Sequence, residues 1–257
     1  MSWADTADRA SAETGRSAAL PGIPRQRGVP AAPAARPDLP GAPLPSAPPR
    51  PWRLLPTPTG TPFTFGYAGL LLATSLFAAH ADPTLVGELL RGSSTDVIHL
   101  AQAPLLVLVA SALWVAGGLT SGYAVALLFV LTALERRIGG LRAAAVFFGG
   151  HALATLATEL PVGFSVAAGA LPDSSLQRLD YGISFGVMTC VGAVAGLLPP
   201  WPRRLLLAGA GYLAVTGLLA YADPMTDWGH LLSLALGAAS WPLLRRWRAA
   251  RTRLRSA

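Results

Sequence analysis

The chain has 257 residues, a formal net charge of +7, 52% hydrophobic residues and only 13% charged ones. Soluble domains carry about 25% charged residues, so this composition, with a mean hydropathy of +0.46, argues against an ordinary water-soluble enzyme and for a membrane protein. All 20 basic residues are Arg, Asn is absent, and the single cysteine, Cys190, excludes an intramolecular disulfide framework and a Cys-based zinc cluster.

Residues 1–62 hold 14 of the 23 prolines, spaced by Ala, Arg and Ser. Pro lacks an N–H and fixes φ, so runs such as Pro30-Ala-Ala-Pro-Ala-Ala-Arg-Pro37 do not form helices. With little large apolar surface to offset ordering entropy, this stretch reads as a disordered, partly polyproline tail. The first apolar run begins only at Phe63, too far in for a signal peptide.

Apolar runs then follow one another: Phe63–Ala81, Leu119–Leu134, Ala143–Gly163, Tyr181–Leu198, Leu205–Ala222 and Trp228–Leu244. Each approaches the roughly 20 residues that a helix needs to cross the hydrocarbon. Because lipid offers the backbone no partner, the spans are expected to be helical. A seventh stretch, Leu100–Gly118, is arbitrated by arginine placement. Six spans with the N-terminus inside put 18 of the 20 Arg on the cytoplasmic side, leaving Arg91 and Arg178 outside. A seventh span would move Arg136, Arg137 and Arg142 to the side opposite the N-terminus, against the positive-inside rule. Leu100–Gly118 is therefore expected as a half-embedded piece of the first external segment. The expected organisation is an all-α, multi-pass cell-membrane protein. It has a cytoplasmic tail (1–62), a six-helix membrane domain (63–244) and a basic cytoplasmic tail (245–257). The Arg excess then reports topology and contact with anionic lipid, without nucleic acid.

Polar residues inside such spans are candidates for chemistry because their burial is costly. Asp180 and Ser184 open the fourth span, and Asp227 and His230 open the sixth. Both spans enter from outside, so Ser184 and His230 lie at one depth. Spacings of four and three put each pair on one helix face. A hydroxyl becomes a useful nucleophile when a base takes its proton, so Ser184 and His230 form a candidate dyad. Asp227 is the better placed acid to orient His230. Structural explanations exist for the same residues. First-turn carboxylates complement a helix dipole. Gly182/Gly186 and Gly192/Gly196 are small-xxx-small packing patterns. His151 has no partner evident in the sequence and reads as a packing residue, and Cys190 as a small buried one.

Three pieces of sequence together resemble the rhomboid intramembrane serine proteases. Leu134-Glu135-Arg136-Arg137-Ile138-Gly139 is similar to that family's Glu-Arg-x-x-Gly. Gly182-Ile183-Ser184-Phe185 stands at the place of its Gly-x-Ser-Gly. His230-Leu-Leu-Ser233-Leu-Ala-Leu-Gly237 stands at the place of its His-x-x-Gly-x-x-x-Gly. The resemblance covers about 63–244. It implies a six-helix bundle in which Ser184 is nucleophile and His230 general base, supported by Gly182 and Gly237. The activity implied is cleavage of transmembrane substrates without metal or cofactor. The pattern departs from the family where its His and Asn oxyanion donors, counted back from Glu135, fall near Leu119 and Tyr123, and at Phe185 and Ser233. A rhomboid pseudoprotease that binds membrane-protein clients is the alternative implied.

Overall fold

The computed structural model describes residues 54–221 and 223–256, and among these every regular element is helical. Most of the expected proline-rich tail lies outside the described residues. Its last part, 54–61, forms turns: the Thr57 N–H donates to Thr61 Oγ1, and Arg136 donates to the Leu55 carbonyl.

The first long helix, α1 (Pro62–His80), starts with Pro in the first turn, where a missing N–H costs nothing. Its N-terminus has no cap from its own sequence. Instead Glu135, buried deep in the protein, accepts from the N–H groups of Phe63 and Thr64 and from Thr64 Oγ1. A carboxylate at a helix N-terminus satisfies orphan donors and complements the dipole. The Glu-Arg motif thus clamps α1 to the helix that carries Glu135.

The segment after α1 folds as short helices, α2 (Pro83–Gly92), α3 (Val97–Gln102) and α4 (Pro104–Ala110), closed by a 3-10 turn at Ser111–Leu113. The expected half-embedded piece is therefore broken helix. Pro104 interrupts it, and the face bearing Leu105, Leu106 and Val109 points outward. The turn is tied to α1: Tyr67 donates to the Ala112 carbonyl at 2.6 Å and Thr74 to that of Leu113 at 2.7 Å.

Five further helices complete the bundle: α5 (Gly122–Ile138), α6 (Gly140–Ala167), α7 (Ser184–Ala195), α8 (Pro200–Ala220) and α9 (Pro224–Ala239). They run alternately between an acidic end, near Arg178, Asp180 and Asp223, and an arginine-rich end, near Arg142, Arg203 and α10 (Trp241–Ser256). Among the described residues three helices, α1, α6 and α8, are long and apolar enough to cross a membrane. The other expected runs are shorter as helices. The second begins at Gly122, not Leu119, because Gly117 and Gly118 take positive φ. The fourth is only Ser184–Ala195, and the sixth stops at Ala239, not Leu244, so α10 starts as a separate helix.

α7 is the core. All its residues after Ser184 are buried, against α5, α6, α8 and α9. The approach of α7 to α9 depends on glycine: a Cβ on Gly192 or Gly237 would strike the backbone of the facing helix. Gly196 serves the Trp241 ring in the same way. Arginine satisfies the C-terminus of α7: Arg203 donates to the carbonyls of Ala195 and Leu198 and Arg248 to that of Leu197. Guanidiniums there complement the negative end of the helix dipole.

Candidate active site

Ser184 is the first residue of α7, half-buried, and follows Gly182 at φ +125°. Only glycine adopts that φ without strain. Gly182 also donates to the Ser111 carbonyl at 3.0 Å, so the 3-10 turn holds the start of α7 in place. Two expectations are corrected here. Gly182 lies before the helix and does not pack as part of a small-xxx-small face. Asp180 also precedes the helix and does not share a face with Ser184. Thr95 Oγ1 donates to Asp180 Oδ2 at 3.0 Å, and Asp180 stands 3.8 Å from Arg178. Burial pushes the Asp180 carboxyl above its ordinary pKa, against the pull of Arg178 and Thr95.

No side chain caps α7, and the N–H groups of Ser184, Phe185 and Gly186 have no acceptor among the described residues. The first backbone bond at this end is Val187 N–H to the Ile183 carbonyl. Bare donors at a helix N-terminus are suited to negative charge.

His230 sits on α9, buried, one turn after Asp227. Asp223 caps α9 by accepting from the Thr226 N–H. Asp227 Oδ1 stands 3.6 Å from His230 Nδ1, so the expected i,i+3 pair forms on one face. Tyr123 of α5 brings its hydroxyl to 3.3 Å from the same nitrogen, with its ring tilted by 30° over the imidazole at 5.1 Å. The other nitrogen, Nε2, is buried without a partner. Ser184 Oγ makes no hydrogen bond to His230 or to any other described residue. The Phe185 ring meets His230 edge-on at 5.6 Å, filling the space over Gly229. Gly237, two turns further along α9, makes the crossing with α7 that sets both helices at this separation.

Three features were not anticipated. The contact of Tyr123 with His230 is one, although the resemblance had already set Tyr123 at the place of an oxyanion donor. A second is the ion pair between Glu159, fully buried on α6, and Arg178, which also reaches Asp223 at 3.4 Å. An acid inside an apolar run needs a cation at its own depth, and Arg178 is the arginine in the adjoining loop. The third is the partner of His151: its Nε2 lies 3.0 Å from Ser111 Oγ. That contact joins residues 40 positions apart and had no local signal. Cys190 is buried as expected. No cluster of His, Cys, Asp or Glu among the described residues has the form of a metal site.

A family model described as rhomboid-like protein matches residues 59–250. The chain belongs to the rhomboid-like family. Neither a curated protein nor a solved structure matches it. The rhomboid-like match covers α1 through most of α10, and so includes Glu135, Ser184 and His230.

Proposed function

We propose that this rhomboid-like protein is a six-span intramembrane serine endopeptidase of the cell membrane, with both termini cytoplasmic. The observation that carries the reading is the placement, on the packed helices α7 and α9, of Ser184 at an uncapped helix N-terminus and of His230 with a bare Nε2. The short helix α7 does not need to match a bilayer, because protein surrounds it and arginines cap its far end.

In the proposed reaction His230 Nε2 takes the Ser184 proton as Oγ bonds to the scissile carbonyl carbon. The uncapped N–H groups of α7 stabilise the resulting oxyanion, a role that side-chain donors fill elsewhere. The C–N bond breaks, the amine leaves with the proton from His230, and water hydrolyses the Ser184 ester by the same proton route. An apolar groove of about 590 Å³ between α5 and α8, lined by Tyr123, Val130, Val191, Leu206, Ala210 and Leu213, suits a substrate helix and runs up to Tyr123 beside His230. The basic helix α10 suits anionic lipid on the cytoplasmic side. Cleavage of a model transmembrane substrate in proteoliposomes tests the reading. Activity is expected in the wild type and lost in Ser184→Ala, and cleavage that persists in the variant refutes it.

A second reading, a pseudoprotease that holds transmembrane clients in the same groove, is favoured by Phe185, whose ring occupies the ground beside His230 while Ser184 stays unbonded. Fluorophosphonate labelling of Ser184 that disappears in His230→Ala counts against it.

A further inference from the structure

We propose that Tyr123 and Asp227 are positioning residues that keep the proton of neutral His230 on Nδ1, so that Nε2 presents a bare lone pair. This deepens the reading of His230 as a base and rests on it.

Tyr123 oxygen and Asp227 Oδ1 converge on one ring nitrogen, at 3.3 and 3.6 Å, from two different helices. A carboxylate beside Nδ1 attracts an N–H there and repels a lone pair. The phenol oxygen takes a share of the same N–H, since a hydroxyl accepts as readily as it donates. The opposite assignment, with Tyr123 donating to Nδ1, would leave an N–H on Nε2, which is buried with no acceptor. Buried orphan donors are rare, whereas an unfilled acceptor lone pair is tolerated better. Both ring nitrogens therefore point to the same tautomer.

Asp227 is itself approached closely by α8. A Cβ on Gly217 of α8 would lie 2.5 Å from Oδ1, the same oxygen that faces His230. Only a bare glycine leaves the carboxylate room to stand at this distance from the imidazole. Three helices, α5, α8 and α9, thus fix the proton, with Phe185 of α7 closing the edge of the ring.

The test uses the full chain in lipid nanodiscs with nitrogen-15 in its four histidines, the His230 signals being identified by their loss in His230→Gln. At neutral pH the wild type is expected to show a protonated Nδ1 and an unprotonated Nε2; the reverse pattern overturns the proposal. Asp227→Asn is expected to shift protons to Nε2 and to slow fluorophosphonate labelling of Ser184 at least about tenfold, the direction found when an amide replaces a base-orienting carboxylate. Gly217→Ala, whose methyl would overlap Asp227 Oδ1 and displace the carboxylate, is expected to act in the same sense. Tyr123→Phe is expected to move the Nδ1 resonance and slow labelling severalfold; an unmoved resonance overturns the part given to Tyr123. A wild type that never labels at Ser184 refutes the protease reading instead, and the nitrogen spectrum still decides where the proton sits.

Discussion

Glu159 shows how much one residue in this bundle depends on another. Its side chain is fully buried and its ion pair is Arg178, three-quarters buried itself. Breaking a buried pair from one side strands the remaining charge, which costs about 3–5 kcal/mol. Arg178→Met is expected to destabilise the protein by about 3 kcal/mol, at the low end because Arg178 keeps some exposure. Adding Glu159→Gln in that background is expected to recover most of the loss. Unfolding in detergent followed by tryptophan fluorescence measures both, and equal losses with and without the second change would refute the pairing. The Glu159 residue stood in the sequence as a charge in an apolar run, but its partner lies 19 residues away across a loop, beyond any helical spacing. Ser111 and His151 are further apart still. By contrast, Asp227 and His230 were legible as a pair because three residues along a helix return to the same face.

At the scale of helices, the crossing of α7 and α9 is the contact on which the site stands. The Gly237 Cα lies where a side chain would meet the Thr189 carbonyl and the Ala193 N–H. Gly237→Ala is expected to cost about 1–3 kcal/mol by overpacking, with a lower melting temperature in detergent and slower Ser184 labelling. A variant as stable as the wild type would show that the helices separate freely. The helix α2 gives a pH-dependent case. Asp82 caps it, accepting from the N–H groups of Leu85 and Thr84, and these bonds hold its carboxyl below the ordinary pKa. The folded value lies below the unfolded one. The cap's contribution is thus present above the unfolded value and is lost as pH falls through the folded one. Amide exchange at Thr84, Leu85 and Val86 is expected to accelerate only below the ordinary carboxylate range, and Asp82→Ala to abolish that step.

For the whole molecule, arginine placement predicts sidedness. Cys190 is buried, so a cysteine added at the surface is read against a silent background. Ser174→Cys, in the exposed loop between α6 and α7, is expected to react with an impermeant maleimide on intact cells. Ala249→Cys on α10 is expected to react only after permeabilisation. Equal labelling of both would refute the six-span arrangement. The two ends also differ in how they are held. Four arginine–tryptophan stacks, of Arg142 on Trp247, Arg203 and Arg245 on Trp241, and Arg204 on Trp201, gather at the arginine-rich end. Carboxylates and capping hydroxyls gather at the other. Arginine and tryptophan together are the composition of a cytoplasmic membrane interface.

Hydropathy and arginine spacing by themselves determined that the chain is helical and built for a membrane, because these depend on counts along the chain and on no partner. The order of the Glu-Arg, Ser and His motifs determined the family, and with it which residues to examine. Tertiary structure alone decided the lengths of the helices, since a short apolar helix such as α7 is stable only inside a ring of others. It also decided that Asp180 leaves Ser184 for Arg178, because Gly182 at positive φ turns the chain before the helix begins. Above all it decided what meets His230. Tyr123 reaches its Nδ1 from α5 and Gly217 of α8 makes room for the Asp227 carboxylate beside it, and nothing in a linear spacing brings these helices together.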